Sequence, residues 1–241
     1  DFIPAKEGTL IGGLIFLNDW IVRSEVSDAL AKIYVRNIKT NTEEELKITE
    51  EKVISPGISL KQKNKDTDII RIGYDSPKTP SRTFEYNIKT KEKKLLKEQI
   101  IPSGHNRDDY VVERLNCESH DGRQIPMTIT YHKKTKLDGN AHVLLYGYGS
   151  YGMSMGPSFS STRLSLINRN IIWVTCHVRG GMERGIVVGW RKNEGSSKKE
   201  EKKSTLGIIV KGISGGLGVM IQGEGKKRNR KKTLSRWIQI K

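Results

Sequence analysis

The tetrad Asn-Ile-Lys-Thr occurs twice in the first hundred residues, at Asn37 and again fifty positions later at Asn87. In each copy a segment of alternating apolar and polar residues precedes the tetrad, and a polar turn and a short apolar segment follow it. Alternation with period two is typical of a half-buried strand, and the polar break indicates a hairpin. A unit that recurs every 40 to 50 residues or so indicates a β-propeller blade. Two copies also fit two ordinary hairpins that match by chance, so both interpretations stay open.

The next part of the chain predicts a different architecture. Residues 110–115 and 125–131 flank the turn Asp121-Gly122 and read as an antiparallel pair of strands. Two nearly continuous apolar runs follow, each ending in glycines, and such runs suit strands that are buried on both faces of a central sheet. A helix is predicted between them, with Ser158 near its start and Leu164, Leu166 and Ile167 facing inward. The apolar runs cover residues 142–146 and 171–178, and the helix covers residues 158–169. This order indicates α/β packing, in which functional loops lie at the carboxyl ends of the strands.

The first glycine loop, residues 147–152, spells Gly-x-Gly-x-x-Gly. Aromatic residues occupy its second and fifth places, and the following helix comes too late for its N-terminus to hold a pyrophosphate. No acidic residue ends the next strand, where a ribose would need one, which argues against a dinucleotide site. Two interpretations remain: a turn that needs glycine backbone angles, or a substrate loop whose tyrosine hydroxyl donates a hydrogen bond to a developing oxyanion.

Residues 142–185 closely resemble the first part of the peptidase domain of the prolyl oligopeptidase family, in its oligopeptidase B (protease II) branch. Two loops carry the resemblance, Tyr-Gly-Tyr-Gly-Ser-Tyr-Gly and His-Val-Arg-Gly-Gly-Met-Glu. Upstream, residues 75–97 resemble the last propeller blade of that family and residues 109–133 resemble its entry into the hydrolase domain, so the likeness covers roughly residues 1–185. It implies the last blades of a seven-bladed propeller followed by a truncated α/β-hydrolase.

The resemblance implies boundaries and an activity. Residues 1–100 would be C-terminal propeller blades, residues 101–185 the start of the peptidase domain, and residues 186–241 an unrelated tail. The implied activity is serine-type hydrolysis of short peptides after Lys or Arg, with no cofactor or metal. We expect a cytoplasmic protein with no membrane partner, present here as an internal fragment.

The resemblance also implies roles for individual residues. Tyr148 matches the tyrosine whose hydroxyl completes the oxyanion hole, and Tyr151 matches an aromatic position near the substrate pocket. Arg179 and Glu183 match the loop that follows the next strand and are expected to bind substrate. Met182 stands where the family usually has a third glycine, so that loop departs from the family pattern.

Ser214 is the candidate nucleophile, in Gly212-Ile213-Ser214-Gly215-Gly216, after a strand-like segment at 206–210. All five histidines precede Ser214 and no Asp follows it, so the hydrolase order of Ser, then acid, then His is absent. A chance match in a stretch rich in Gly and Ser also explains the motif. We therefore expect the chain to lack a catalytic triad and to be inactive alone.

Charge separates the tail from the rest. Residues 1–185 carry 28 Lys and Arg against 23 Asp and Glu, whereas residues 186–241 carry 15 against 4. The tail therefore holds +11 of the total +16, mainly in polar low-complexity runs. One hypothesis is a frameshifted reading of a once complete gene. A second is a non-enzymatic fragment whose basic tail binds nucleic acid or another polyanion, although Trp190 and Trp237 are too sparse for a stacking platform. A solvated tail without a partner, and a second polypeptide that supplies the missing half, are further alternatives.

Overall fold

The computed structural model describes residues 3–60, 64–118, 122–149, 152–178 and 181–182, and the backbone of three strands between 206 and 240. The first hundred residues form two antiparallel sheets of four strands, each ordered as in the sequence. The first sheet contains β1 (Thr9–Phe16), β2 (Trp20–Ser27), β3 (Leu30–Asn37) and β4 (Glu43–Glu45). The second sheet contains β5 (Ser55–Ser59), β6 (Ile69–Asp75), β7 (Arg82–Asn87) and β8 (Lys93–Glu98). A four-stranded antiparallel meander is the unit of a propeller blade.

The repeated tetrad occupies the same place in both sheets, at the turn between the third and fourth strands. The asparagine Oδ1 accepts hydrogen bonds from the amides two and three residues ahead, at 2.9 and 3.0 Å for Asn37 and again for Asn87. A short side chain that binds its own backbone in this way fixes a turn locally. This agreement confirms a repeated structural unit and argues against a chance match of two hairpins.

The two sheets pack face to face through one apolar core. Fully buried members include Val22 and Ile33 of the first sheet and Ile70 and Ile72 of the second, each at most 1% exposed. The indole Nε1 of Trp20 also donates to Asp68 Oδ1 at 2.8 Å, which ties the second strand of one sheet to the residue just before the second strand of the next. Burial and this hydrogen bond together make the two sheets a single packed unit.

The first sheet also holds a buried ionic group. Arg23 donates through Nη2 and Nε to Glu25 Oε1 at 2.8 and 3.0 Å, and its Nη1 also donates to Glu43. The guanidinium lies 4.7 Å from the centroid of the Tyr34 ring. Arg23 is 4% exposed and Glu25 is 5% exposed, so both charges depend on each other for compensation.

The outermost strands of the two sheets carry opposite charges. All three residues of β4 are exposed glutamates. All six residues of β8 are exposed as well, and three of them are lysines. Lys91, in the turn before β8, forms an exposed ion pair with Glu44 of β4 and so links the two sheets at their outer edges.

Residues 110–176 form a mixed sheet in the order β11-β12-β10-β9. Its strands are β9 (Tyr110–Glu118), β10 (Gln124–His132), β11 (Val143–Gly147) and β12 (Ile172–Cys176). A short 3₁₀ turn, Arg107–Asp109, leads into β9. The expected antiparallel pair is confirmed as β9 and β10, while β11 and β12 run parallel and are joined through helix α1 (Ser161–Ile167). Leu164 and Ile167 of α1 are buried, in a cluster with Tyr110.

Two expectations about this sheet were wrong. The run before the first glycine loop was expected to be buried on both faces, but β11 is the edge strand of the described sheet and Tyr146 is 40% exposed. The helix begins later than expected, because the hydroxyl of Ser160 accepts from the Arg163 amide at 3.4 Å and so provides the N-cap. Ser158 instead accepts from the Arg163 guanidinium at 3.2 Å.

In the tail, β13 (Leu206–Ile213), β14 (Gly216–Gly223) and β15 (Trp237–Ile240) form an antiparallel sheet. The strand-like segment at 206–210 is thereby confirmed, and the other two strands had no counterpart in the sequence reasoning. The basic runs around 198 and 228 lie outside the described residues. Among the helices that the structure describes, none has the length and apolar character needed to cross a membrane.

Neither cysteine is expected to react in the folded protein. Cys117 and Cys176 are each 1% exposed, and burial raises the pKa of their thiols to about 11 and about 12. Both flank β10 on opposite sides, so two strand spacings of about 4.8 Å separate their backbones, too far for a disulfide. At pH 8 we expect a thiol-specific reagent to label Cys117 at least about 100-fold, and Cys176 at least about 1,000-fold, more slowly than a free cysteine. Labelling that is equally fast before and after denaturation in urea would contradict this.

Candidate functional site: two joined glycine loops

The two glycine loops leave the sheet side by side, because β11 and β12 are parallel neighbours. Gly147, the last residue of β11, pairs with Cys176, the last residue of β12. A Cβ on Gly147 would lie 3.3 Å from the Cys176 carbonyl oxygen and 3.4 Å from Val178 Cγ1, so a larger residue would push the strands apart. Glycine here permits the close approach that brings both loops to one end of the sheet.

A backbone bridge then joins the loops. Gly152, at the end of the first loop, pairs in parallel with Gly181 of the second. Gly152 has φ +68°, in the left-handed region that favours glycine, and a Cβ there would lie 2.6 Å from Met182 Cε. Met182, at the position expected to depart from the family pattern, therefore packs against the first loop and covers Gly152.

Replacing Gly152 by alanine is expected to lower the free energy of unfolding by about 1 to 2 kcal/mol, mainly through the strained φ. The close contact adds little, since the methyl end of Met182 is flexible and can move aside. Gly57→Ala is the matched control, because a Cβ on Gly57 would meet nothing within 4 Å. Urea denaturation followed by circular dichroism measures both changes. Equal effects of the two substitutions would show that the backbone at Gly152 is unstrained.

Of the predicted site residues, the structure describes Tyr148 alone. Tyr148 follows β11 directly, is partly buried and lies at the end of the sheet where the two loops meet. Tyr151, Arg179, Glu183 and Ser214 lie outside the described residues, so their predicted roles stay predictions. The strands on either side of Ser214, β13 and β14, pair antiparallel with each other, whereas a nucleophile elbow joins a strand to a helix.

A buried polar network lies beneath the second loop and was missed by the sequence reasoning. His177, 3% exposed, shares a hydrogen bond of 2.8 Å between its Nε2 and Thr128 Oγ1. Arg114 donates to the same hydroxyl at 2.9 Å and also to the carbonyl of Asp28, in the turn between β2 and β3. Since the Thr128 oxygen already accepts from Arg114, its proton is available for His177 Nε2. Burial, with the nearby charge of Arg114, lowers the pKa of His177 to about 4, so the ring is neutral at pH 7.

A second contact joins the second sheet to the segment between the first loop and α1. Gly156 of that segment approaches β5, where a Cβ would lie 3.4 Å from Ser55 Oγ. Burial raises the pKa of the nearby Asp75 carboxyl to about 6, against the lowering effects of the Phe159 backbone and of Arg163. Arg163 of α1 attracts Asp75, donates to Ser158 and lies 5.5 Å from the centre of the Trp173 ring. No sequence motif marks Asp75 or Arg163, because their importance depends on how the sheets pack.

Known proteins match this chain in sequence and in structure. A sequence model of the prolyl oligopeptidase N-terminal β-propeller domain matches residues 1–99. The chain is 36% identical over 186 residues to dipeptidyl aminopeptidase BI of Pseudoxanthomonas mexicana, and 36% identical over 147 residues to protease 2 of Moraxella lacunata. These matches cover 77% and 61% of this chain but only 25% and 21% of the relatives, so the chain spans about a quarter of their length.

Solved structures of known enzymes resemble this chain as well. Oligopeptidase B from Trypanosoma brucei, in a closed form with covalently bound antipain, matches with a TM-score of 0.70 and 28% identity. The match covers 76% of this chain and 27% of that enzyme. Oligopeptidase B from Leishmania major matches with a TM-score of 0.67 and 25% identity, over 75% of this chain and 26% of that one. Together with the propeller match, these likenesses show that the chain belongs, over a segment of its length, to the prolyl oligopeptidase family.

Proposed function

We propose that the chain is part of a serine oligopeptidase of the oligopeptidase B type, whose complete form hydrolyses short peptides after Lys or Arg. The observation that carries this proposal is the pair of glycine loops bridged at Gly152 and Gly181, with Tyr148 at the carboxyl end of parallel strands. Residues 101–185 would then be the start of an α/β-hydrolase domain, and its β11-α1-β12 crossover supports this assignment. The preference for Lys or Arg rests on the resemblance to oligopeptidase B.

In this proposal Tyr148 stabilises charge in the transition state. Attack on a peptide carbonyl places negative charge on its oxygen, and a fixed hydroxyl that donates to this oxygen lowers the barrier. Its fixed position would come from the neighbouring strand pair and from the bridge that ties the far end of the loop. Tyr151, Arg179 and Glu183 would bind the substrate.

The chain by itself would lack the nucleophile and the base. The family order places an acid and a histidine after the serine, and residues 215–241 contain neither Asp nor His. We propose that residues 186–241 are a frameshifted or unrelated continuation, so a second polypeptide segment would have to supply the triad. Ser214 is the one nucleophile candidate that the sequence motifs of the chain offer.

The test compares the chain with a repaired version. The 241-residue chain is expected to hydrolyse neither an Arg-ending nor a Lys-ending dipeptidyl reporter above the uncatalysed rate, and Ser214→Ala is expected to change nothing. The nucleotide sequence after the codon for Gly185 should encode a Gly-Gly-Ser-Ala-Gly-Gly-like segment in another frame. The chain continued in that frame should cleave the basic reporters in preference to a proline reporter.

Three outcomes would count against these statements separately. Hydrolysis by the chain that Ser214→Ala abolishes would overturn its predicted inactivity. If no reading frame after the codon for Gly185 encodes a nucleophile elbow, the frameshift hypothesis fails. A repaired protein that cleaves after proline and not after Lys or Arg would keep the family and overturn the specificity.

A further inference from the structure

Arg114 of β9 connects two separate parts of the fold. One terminal nitrogen of its guanidinium, Nη1, donates to Thr128 Oγ1 on the neighbouring strand β10 at 2.9 Å. The other terminal nitrogen, Nη2, donates to the carbonyl oxygen of Asp28, 86 residues earlier in the chain. The guanidinium is planar and rigid, so the place of Asp28 and the place of the Thr128 hydroxyl are linked through one side chain.

Asp28 belongs to a tight turn in the first sheet. The paired residues Ser27 and Leu30 end β2 and begin β3, which leaves Asp28 and Ala29 as a two-residue turn. Both have positive φ, 49° and 61°, as the favoured hairpin turn of this length requires. Ala29 holds a Cβ in this left-handed conformation and is 2% exposed. A strained turn persists where its surroundings hold it, and the hydrogen bond from Arg114 is one such restraint.

At the other end of the network, His177 directly follows β12 and leads into the second glycine loop. Its backbone amide donates to the Pro126 carbonyl at 2.9 Å, and its Nε2 lies 2.8 Å from Thr128 Oγ1. Both partners belong to β10. The second loop therefore begins from a residue that the neighbouring strand holds through the backbone and through the side chain.

The shared hydroxyl determines which ring nitrogen of His177 carries the hydrogen. Thr128 is 2% exposed, and among the described residues its hydroxyl bonds to Arg114 and His177 alone. If the hydroxyl donates to Nε2, the hydrogen of the neutral ring lies on Nδ1, and the buried Nδ1 is the one unpaired group. If Nε2 instead donates to the hydroxyl, both Nδ1 and the hydroxyl proton are buried without a partner. Because each unpaired buried group is costly, the Nδ1–H tautomer is favoured.

We propose that Arg114 is a positioning residue, which holds His177 in one tautomer and orientation where the second glycine loop begins and links this arrangement to the docking of the β2–β3 turn. The turn and the histidine depend on the same guanidinium, although they lie in different sheets. The proposal goes beyond peptide hydrolysis, since it holds whether or not the chain is a peptidase.

Nitrogen NMR of the full chain with isotope-labelled histidine distinguishes the two neutral tautomers. At pH 7 the His177 ring is neutral, because burial lowers its pKa to about 4. Its signals are assigned by their absence from His177→Gln. The hydrogen should lie on Nδ1 in the unmodified chain. In Arg114→Met the ratio of the Nδ1–H to the Nε2–H form should fall about tenfold, as expected for the loss of one hydrogen bond.

Hydrogen exchange measures the other end of the network in the same variant. Exchange of the peptide that contains the β2–β3 turn should rise about tenfold in Arg114→Met, because the turn loses its restraint. Arg107→Met is the matched control, since the Arg107 side chain is 45% exposed beside Asp108, and it should change neither measurement. Thr128→Ser keeps the hydroxyl and should keep the tautomer.

If Arg114→Met does not fold, Arg114→Lys takes its place. One ammonium group cannot occupy both positions of the guanidinium, so either the tautomer ratio or the exchange of the turn should change.

An Nε2–H form that predominates in the unmodified chain would contradict the proposal, and this measurement needs no variant. The proposal also fails if the Arg114 variant changes neither measurement, or if Arg107→Met changes them equally. A faster exchange of the turn with an unchanged tautomer would show that Arg114 only supports the first sheet, and it would refute the positioning of His177.

Discussion

Replacing Arg23 by methionine is expected to lower the free energy of unfolding by about 3 to 5 kcal/mol, because it leaves a buried carboxylate without its partner. Glu25 is 5% exposed, and Arg23 donates to it through two nitrogens. Loss of the guanidinium would also remove the cation–π contact with Tyr34. Chemical denaturation followed by circular dichroism gives the difference.

Lys39→Met is the matched control for this prediction. Lys39 pairs with Asp19 at 3.0 Å, but its side chain is 75% exposed, and such pairs contribute about 0 to 1 kcal/mol. If Arg23→Met prevents folding, Arg23→Lys takes its place in the experiment. Lysine keeps the positive charge but cannot donate through two nitrogens to one carboxylate, so we expect an intermediate decrease in the free energy of unfolding. Equal losses for Arg23→Met and Lys39→Met would mean that the ionic group in the first sheet contributes no more than a surface pair.

Replacing Ile70 by alanine is expected to lower the free energy of unfolding by about 2 to 5 kcal/mol, through lost burial and the cavity left behind. Ile70 is 0% exposed and lies in the core shared by the first and second sheets. The measurement is the same denaturation experiment, combined with hydrogen exchange in β3. Exchange should rise there as well, because β3 packs against the opposite side of that core.

Ile100→Ala provides the comparison, since Ile100 is 85% exposed and its loss should change stability by no more than about 0.5 kcal/mol. An Ile70→Ala variant as stable as Ile100→Ala would show that the two sheets do not depend on their shared core. A change confined to the second sheet would show that the sheets unfold independently.

The sequence predicted the parts of the fold that local chemistry determines. The repeated turn could be found because Asn37 and Asn87 each bind the backbone just ahead of them, so the signal and its cause lie within four residues. The alternating segments that precede the two tetrads form β3 and β7, as predicted. The antiparallel pair β9 and β10 was predicted for the same reason.

Properties that depend on neighbouring elements could not be predicted in this way. An apolar run does not reveal whether its strand is central or at an edge, which is why the exposure of β11 was missed. The start of α1 was misplaced by two residues, because Ser158 and Ser160 are both suitable caps and only Arg163 distinguishes them.

The residues of the candidate site also differ in whether local sequence could predict them. The motif predicts the place of Tyr148, because the close approach of two strands requires a glycine at position 147 beside it, and the role of Tyr148 stays a prediction. Asp75, Arg114 and His177 were missed because their partners come from distant segments, 49 residues away in the case of His177 and Thr128. Such networks become visible only once the sheets are packed together.

The lysines of β8 also bear on how this protein behaves at high concentration. A strand with a free edge can recruit the same strand from another molecule and begin a fibril, in which identical residues stack every 4.8 Å or so. In such a stack Lys93, Lys94 and Lys97 would each face their own copies, and the repulsion would grow with every added molecule. The outer edge of the second sheet is therefore protected against self-templating by its charge, and this protection weakens as added salt screens the lysines.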